Sequence, residues 1–92
     1  MVNAIVLLKV KSDRINQVAE ELSAHDGISE VYSVAGQYDL VAIIRASDDE
    51  QIADMVTEKL LQAEGLESSE TLIAIRTYSK HDLYAMYSVV MD

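Results

Sequence analysis

The run Val34-Ala35-Gly36-Gln37-Tyr38-Asp39-Leu40 holds the most chemically suggestive spacing in the chain. A glycine turn exposes backbone amides, a tyrosine offers a flat apolar face with a polar tip, and an aspartate beside it accepts hydrogen bonds from an ammonium group. Gly36, Tyr38 and Asp39 together therefore suit a small zwitterion such as an amino acid. The same residues also suit a plain hairpin, in which Gly36 makes the turn, Tyr38 joins a core and Asp39 caps the turn.

Other chemistry is sparse. Each of the two histidines precedes an aspartate, in His25-Asp26 and His81-Asp82. His25 falls by a helix stop, where imidazoles commonly meet free carbonyls, and His81 follows the last expected strand. No HExxH, GxSxG, phosphate loop, dinucleotide-binding glycine fingerprint or EF-hand loop occurs, so no catalytic residue is assigned. The acidic run Asp48-Asp49-Glu50 looks like a calcium ligand set, but charge at a helix start explains it. No metal and no cofactor are expected. Without cysteine the chain has no disulfide, thiolate nucleophile or thiolate metal site.

The elements that must position these residues follow from periodicity. Val2, Ala4, Val6, Leu8 and Val10 alternate with Asn3, Ile5, Leu7 and Lys9, which predicts a strand. Ser12 is the expected cap of a first helix whose apolar stripe is Ile15, Val18, Ala19 and Leu22, with Gly27 as its stop. Ile28 to Ala35 alternates again as a second strand. Gly36-Gln37 reads as a short hairpin turn, and Tyr38 to Ala46 as a third strand, apolar enough on both faces to be central. Ser47 with Glu50 has capping-box spacing for a second helix, striped by Ile52, Met55, Val56, Leu60 and Ala63 and stopped by Gly65. A fourth strand is expected from Glu70 to Tyr78. The order βαββαβ describes two similar halves and predicts an α+β, ferredoxin-like sandwich with both helices on one face of an antiparallel sheet.

That plan leaves the other sheet face bare. The chain has 92 residues, 50% of them apolar, whereas a domain of this size buries only about 60% of its unfolded surface. Ile5, Leu7, Val41 and Ile43 are expected on the bare face, and a patch of this kind marks an interface, here a homodimer joined through its sheets as a dimeric α+β barrel. The segment 80–92 carries Leu83, Tyr84, Met86, Tyr87, Val89, Val90 and Met91, and is expected to serve further oligomer contacts. Sixteen acidic against seven basic residues give a net charge of -9. Such a field disfavours direct contact with nucleic acid or an anionic membrane surface. With no signal-peptide core at the start of the chain, a cytoplasmic protein is expected.

The turn Val34-Ala35-Gly36-Gln37-Tyr38-Asp39-Leu40, followed two elements later by Glu67-Ser68-Ser69-Glu70-Thr71-Leu72-Ile73-Ala74-Ile75-Arg76, closely resembles the effector-binding domain of the Lrp/AsnC, or feast/famine, regulators. This domain is also called the RAM domain, and the resemblance covers essentially residues 2–79. It implies the same fold, dimers joined through their sheets, rings of dimers, and binding of an amino acid or related metabolite at contacts between dimers. Gly36, Tyr38 and Asp39 match the effector loop, and Gln37 stands at its variable place. Ser69 and Thr71 match positions whose hydroxyls reach a ligand across a subunit contact.

Full members of that family carry a helix-turn-helix before this domain, whereas here the first strand opens at the start of the sequence. The expectation is a stand-alone, non-enzymatic sensor that modulates transcription indirectly, without binding DNA itself, by joining assemblies of full-length Lrp/AsnC regulators, buffering an amino acid or regulating some other partner. One alternative is a small dimeric enzyme of the monooxygenase type, for which Tyr32, Arg45, Arg76 and His81 are the polar candidates. Another is a structural adaptor for full-length regulators. An RNA-binding domain fits least, because a basic surface and exposed strand aromatics are missing.

Overall fold

A computed structural model describes residues 1–78. The expected C-terminal extension at 80–92 lies outside the described residues, as does His81. Strand β1 (Val2–Val10) leads to helix α1 (Ile15–Ser23), then strands β2 (Ile28–Ser33) and β3 (Leu40–Ala46). Helix α2 (Asp49–Met55) runs on into a π-helical segment (Val56–Leu60), and strand β4 (Leu66–Ile73) follows. The four strands form one sheet in the order β2-β3-β1-β4, every pair antiparallel. This is the ferredoxin-like α+β architecture expected from the sequence.

Both helices pack on one sheet face, α1 over β2 and β3, α2 over β3 and β1. Alternation on β1 does what the sequence implies: Ala4, Val6, Leu8 and Val10 are buried beneath the helices. They meet Leu40, Ala42 and Ile44 of β3, Val18 and Leu22 of α1, Ile52 of α2, Leu60 of the π-helical segment and Ala63 of the turn after it. Leu8, Leu22, Leu40, Ile44, Ile52 and Leu60 are fully enclosed, each contributing roughly 1.5–3 kcal/mol of apolar burial. Helix α2 does not extend over β4, so the helix-side surface of that edge strand stays open.

Several boundaries differ from the sequence reading. Ser12 does not cap α1: residues 11–14 make a turn in which Arg14 N–H donates to Lys11 O at 2.9 Å, and Arg14 is the cap, without a side-chain bond. Helix α2 is capped by Asp48, not Ser47. Its carboxylate accepts from Gln51 N–H at 2.9 Å, while Gln51 Oε1 accepts from Ser47 N–H at 2.9 Å. The cap is thus one residue later than expected, and Gln51, in place of Glu50, reaches back past it to the Ser47 amide, so the pair is not a strictly reciprocal box. Asp48→Ala should cost about 1 kcal/mol, measurable as a lowered urea midpoint with unchanged slope. Strand β4 starts at Leu66, directly after Gly65, and not at Glu70. Gly65 sits at φ +99°, and a Cβ there would lie 2.8 Å from both Cβ and Cγ of Arg14. Only glycine fits where the second half of the chain turns against the start of the first helix.

The face opposite the helices is uncovered in the chain. Its side chains form two cross-strand rows, Glu30, Ile43, Ile5 and Leu72 in one, Tyr32, Val41, Leu7 and Glu70 in the other. Ile5 faces Ile43, and Leu7 faces Val41, in direct register. Each row therefore has an apolar centre closed at one edge by a glutamate.

Candidate functional site

The β2–β3 connection is a six-residue loop, 34–39, longer than the two-residue turn expected at Gly36-Gln37. Its length follows from how Asp39 is held. Asp39 N–H donates to Leu8 O at 2.8 Å, and Asp39 Oδ2 accepts the Val10 N–H at 2.8 Å. The ladder between β1 and β3 ends at Leu8 and Leu40, so the Asp39 carboxylate extends it by supplying an acceptor for the next free amide. Val34 N–H donates to Asp39 O at 3.0 Å and closes the loop. At its tip Gly36 has φ +153°, with nothing within 4 Å of where a Cβ would stand. The tip is open, with Ala35, Gly36 and Gln37 all exposed.

Tyr38 leaves the loop half-buried and donates its hydroxyl to Glu70 Oε2 at 2.9 Å. Glu70 lies opposite Leu7 on the uncovered sheet face. Tyr32 makes a similar bond to Glu30 on the other edge of that face. Both hydroxyls titrate above the ordinary tyrosine value of 10.0, first because the hydrogen bond to the carboxylate holds the proton, then through desolvation and repulsion from the same carboxylate. Because the folded-state value is the raised one, each bond's contribution is complete below pH 10.0 and is lost as pH climbs through the higher folded value. Alkaline titration followed by phenolate absorbance should show two late-ionising tyrosines. Tyr38→Phe and Tyr32→Phe should each remove one.

Ser69 and Thr71 stand opposite Leu8 and Val6 in the β1–β4 register, and so share the helix side of the sheet. Thr71 borders a mainly apolar groove of about 470 Å³ between α2 and β4, with Ala53, Val56 and Ile73. Within one chain, Gly36, Gln37, Tyr38 and Asp39 thus cluster at the loop, while Ser69 and Thr71 face the opposite side of β4. Asp39 also borders a polar cleft of about 450 Å³ whose other walls include Lys9, Lys11 and Glu67. Sequence reasoning passed over these three and Glu70; the lysines two positions apart at the end of β1 were the available sign. Tyr32 and Arg45 occupy the uncovered face four residues apart in β3 register, about 13 Å along a strand, and so do not converge. Among the described residues no group of three or more His, Cys, Asp or Glu side chains is placed to hold a metal ion. No helix among them is long and apolar enough to cross a membrane.

The sequence matches the Lrp/AsnC ligand binding domain over residues 3–84. It is 31% identical over 77 residues to the HTH-type transcriptional regulator FL11 of Pyrococcus horikoshii, an alignment covering 84% of this chain and 50% of that protein. The chain spans about half the length of the curated relatives it matches. Among solved structures, TTHA0845 from Thermus thermophilus superposes with a TM-score of 0.83 at 41% identity, covering 87% of this chain and 100% of that one. The protein PHS023 from Pyrococcus horikoshii does so with a TM-score of 0.78 at 28% identity, covering 88% and 98%. With the matched region spanning nearly all of the sequence and the expected fold in place, the chain belongs to the Lrp/AsnC ligand-binding-domain family.

Proposed function

We propose that this domain binds an amino acid or a related small metabolite at its Gly36–Asp39 loop, and that it does so in an assembly of dimers joined through their uncovered sheet faces. Occupancy then modulates transcription indirectly, through DNA-reading regulators of the same family. Catalysis plays no part in this reading, and the names of the relatives as transcriptional regulators support it.

The observation that carries the reading is the bond from Tyr38 to Glu70. Through it the effector loop is tied to a residue on the face that would join two subunits. A ligand with different affinities for two arrangements of that contact shifts the balance between them. Gly36 leaves the loop tip open for a neighbouring dimer in a ring, and Ser69 and Thr71 are then available to a ligand held by another subunit. Five apolar side chains on the sheet face, Ile5, Leu7, Val41, Ile43 and Leu72, supply the driving force for the dimer.

Titration calorimetry against the twenty amino acids, with light scattering on the same samples, tests the proposal. Heat from at least one ligand, with a change in mass distribution, is the expected result. Silence from every ligand and an unchanged mass would reduce the domain to a structural role.

A further inference from the structure

We propose that the groove between α2 and β4 is covered by the C-terminal segment of the same chain, residues 79–92, with Leu83, Met86, Tyr87 and Val90 turned into it. The extension then completes the helix layer of its own subunit instead of joining one subunit to another.

The groove is the unfinished part of that layer. Ser69, Thr71 and Ile73 of the edge strand β4 stand opposite Leu8, Val6 and Ala4, all three of them fully buried. Helix α2 packs over β3 and β1 and leaves β4 open. The apolar surface therefore runs on past the helix: Ile73 is 45% exposed, and Ala53 and Val56 wall the groove of about 470 Å³ from the α2 side. The sheet-to-sheet contact proposed above lies on the opposite face and does not cover it.

The chain leaves the sheet at the mouth of this groove. The last pair of the β1–β4 ladder is Ala4 with Ile73, and Ala74 N–H then donates to Asn3 O at 2.9 Å. Helix α2 starts at the same end of the sheet, because Ala46 stands opposite Val2. The α2 wall from Asp49 to Thr57 is about 12 Å long at helical rise, which residues 79–92 span whether helical or extended. In the sequence Leu83, Met86, Tyr87 and Val90 recur at i, i+3, i+4 and i+7, the spacing of one apolar helix face. Ser79 and Asp82 precede that run at the spacing of a helix start. The family match ends at residue 84, so Met86, Tyr87 and Val90 lie outside the shared domain. A segment tethered a few residues away meets its groove at an effective concentration on the order of millimolar, whereas the segment of another subunit must first be brought to it. Once docked, the segment covers Thr71, and Ser69 is the hydroxyl left open to a ligand from a neighbouring subunit.

Hydrogen exchange on the full chain tests the proposal. Backbone amides of residues 83–90 should exchange about tenfold or more slowly than in a free peptide of the same sequence. Ala53→Glu with Ile73→Glu, both at exposed positions on the groove walls, should return them to the peptide rate while the amides of Val6 and Ala42 stay protected. Should the pair of substitutions also release Val6 and Ala42, Ala53→Glu alone replaces it. Unprotected amides at 83–90 in the unaltered chain, or protection that survives the groove substitutions, would overturn the proposal. The chain has no cysteine, so Ala53→Cys and Met86→Cys treated with a short bis-maleimide identify whose segment occupies the groove. Carried by one chain, the two cysteines should link within it; carried by separate chains and mixed, they should stay unlinked. Covalent dimers from the mixture would assign the groove to a neighbour's segment and overturn the proposal, as would the absence of any link.

Discussion

If the proposed sheet-to-sheet dimer forms, glutamate in place of Ile5 is expected to turn it into a monomer whose fold is intact. Ile5 lies at the middle of the uncovered face, between Ile43 and Leu72 in its row, and is 37% exposed in the single chain. Its side chain points away from the helices, so the core beneath Ala4, Val6 and Leu8 does not depend on it. In a two-fold dimer the same patch meets itself, and one substitution places two carboxylates in the contact. The row neighbours Ile43 and Leu72 are apolar, and the glutamates that close the two rows, Glu30 and Glu70, repel each carboxylate. Arg45, two positions beyond Ile43 on β3, is a cation on the same face that keeps the penalty at the low end. At about 2 kcal/mol per carboxylate, a low figure for burying an unpaired polar group, the two cost about 4 kcal/mol. That is close to a thousandfold in dissociation constant. Sedimentation or light scattering should report half the mass, with an unchanged far-ultraviolet circular dichroism spectrum. A mass equal to that of the unaltered protein would remove the sheet face from the assembly.

The uncovered face was legible because it obeys the simplest rule in the chain. Alternation along β1 separates Ala4, Val6 and Leu8 from Ile5 and Leu7, and the pleat turns that pattern into two faces without further information. Strand β4 was legible only in part. Glu67-Ser68-Ser69-Glu70 is polar at both parities, since β4 is an edge strand whose helix-side surface no helix covers, so its first half lacks the apolar alternation that marks a strand. Ser12 has the residue type and position of a helix cap, but the amide of Lys11 is drawn to Gly65 on the far side of the chain, and residues 11–14 are spent in a turn. The candidate site divides along the same line. Gly36, Tyr38 and Asp39 were visible as a local run, whereas the partners that define their roles, Val10 for Asp39 and Glu70 for Tyr38, stand 29 and 32 residues away. Local spacing carries no trace of such pairs. Only the antiparallel register brings them together.

That register also changes what a substitution at Asp39 should do. From the loop sequence alone, Asp39→Ala is expected to weaken binding of an amino-type ligand while leaving the dimer intact. In the structure the same carboxylate is the acceptor for the part-buried Val10 amide, and removing it leaves that donor unpaired at a cost of about 1–3 kcal/mol. For a domain of this size the loss lowers the melting temperature by roughly 4–8 °C per kcal/mol. Asp39→Asn separates the two roles. Its amide oxygen still accepts from Val10, and the charge-assisted bond becomes a neutral one, a change of about 1 kcal/mol or less. The ammonium of the ligand, however, loses its counter-charge. The Asp39→Asn variant is therefore expected to melt within a few degrees of the unaltered protein and to bind the effector about tenfold or more weakly, whereas the alanine variant loses both stability and affinity. Effector binding by Asp39→Ala that fell only in proportion to its unfolded fraction, together with full affinity in Asp39→Asn, would make Asp39 a structural clamp of the loop and nothing more.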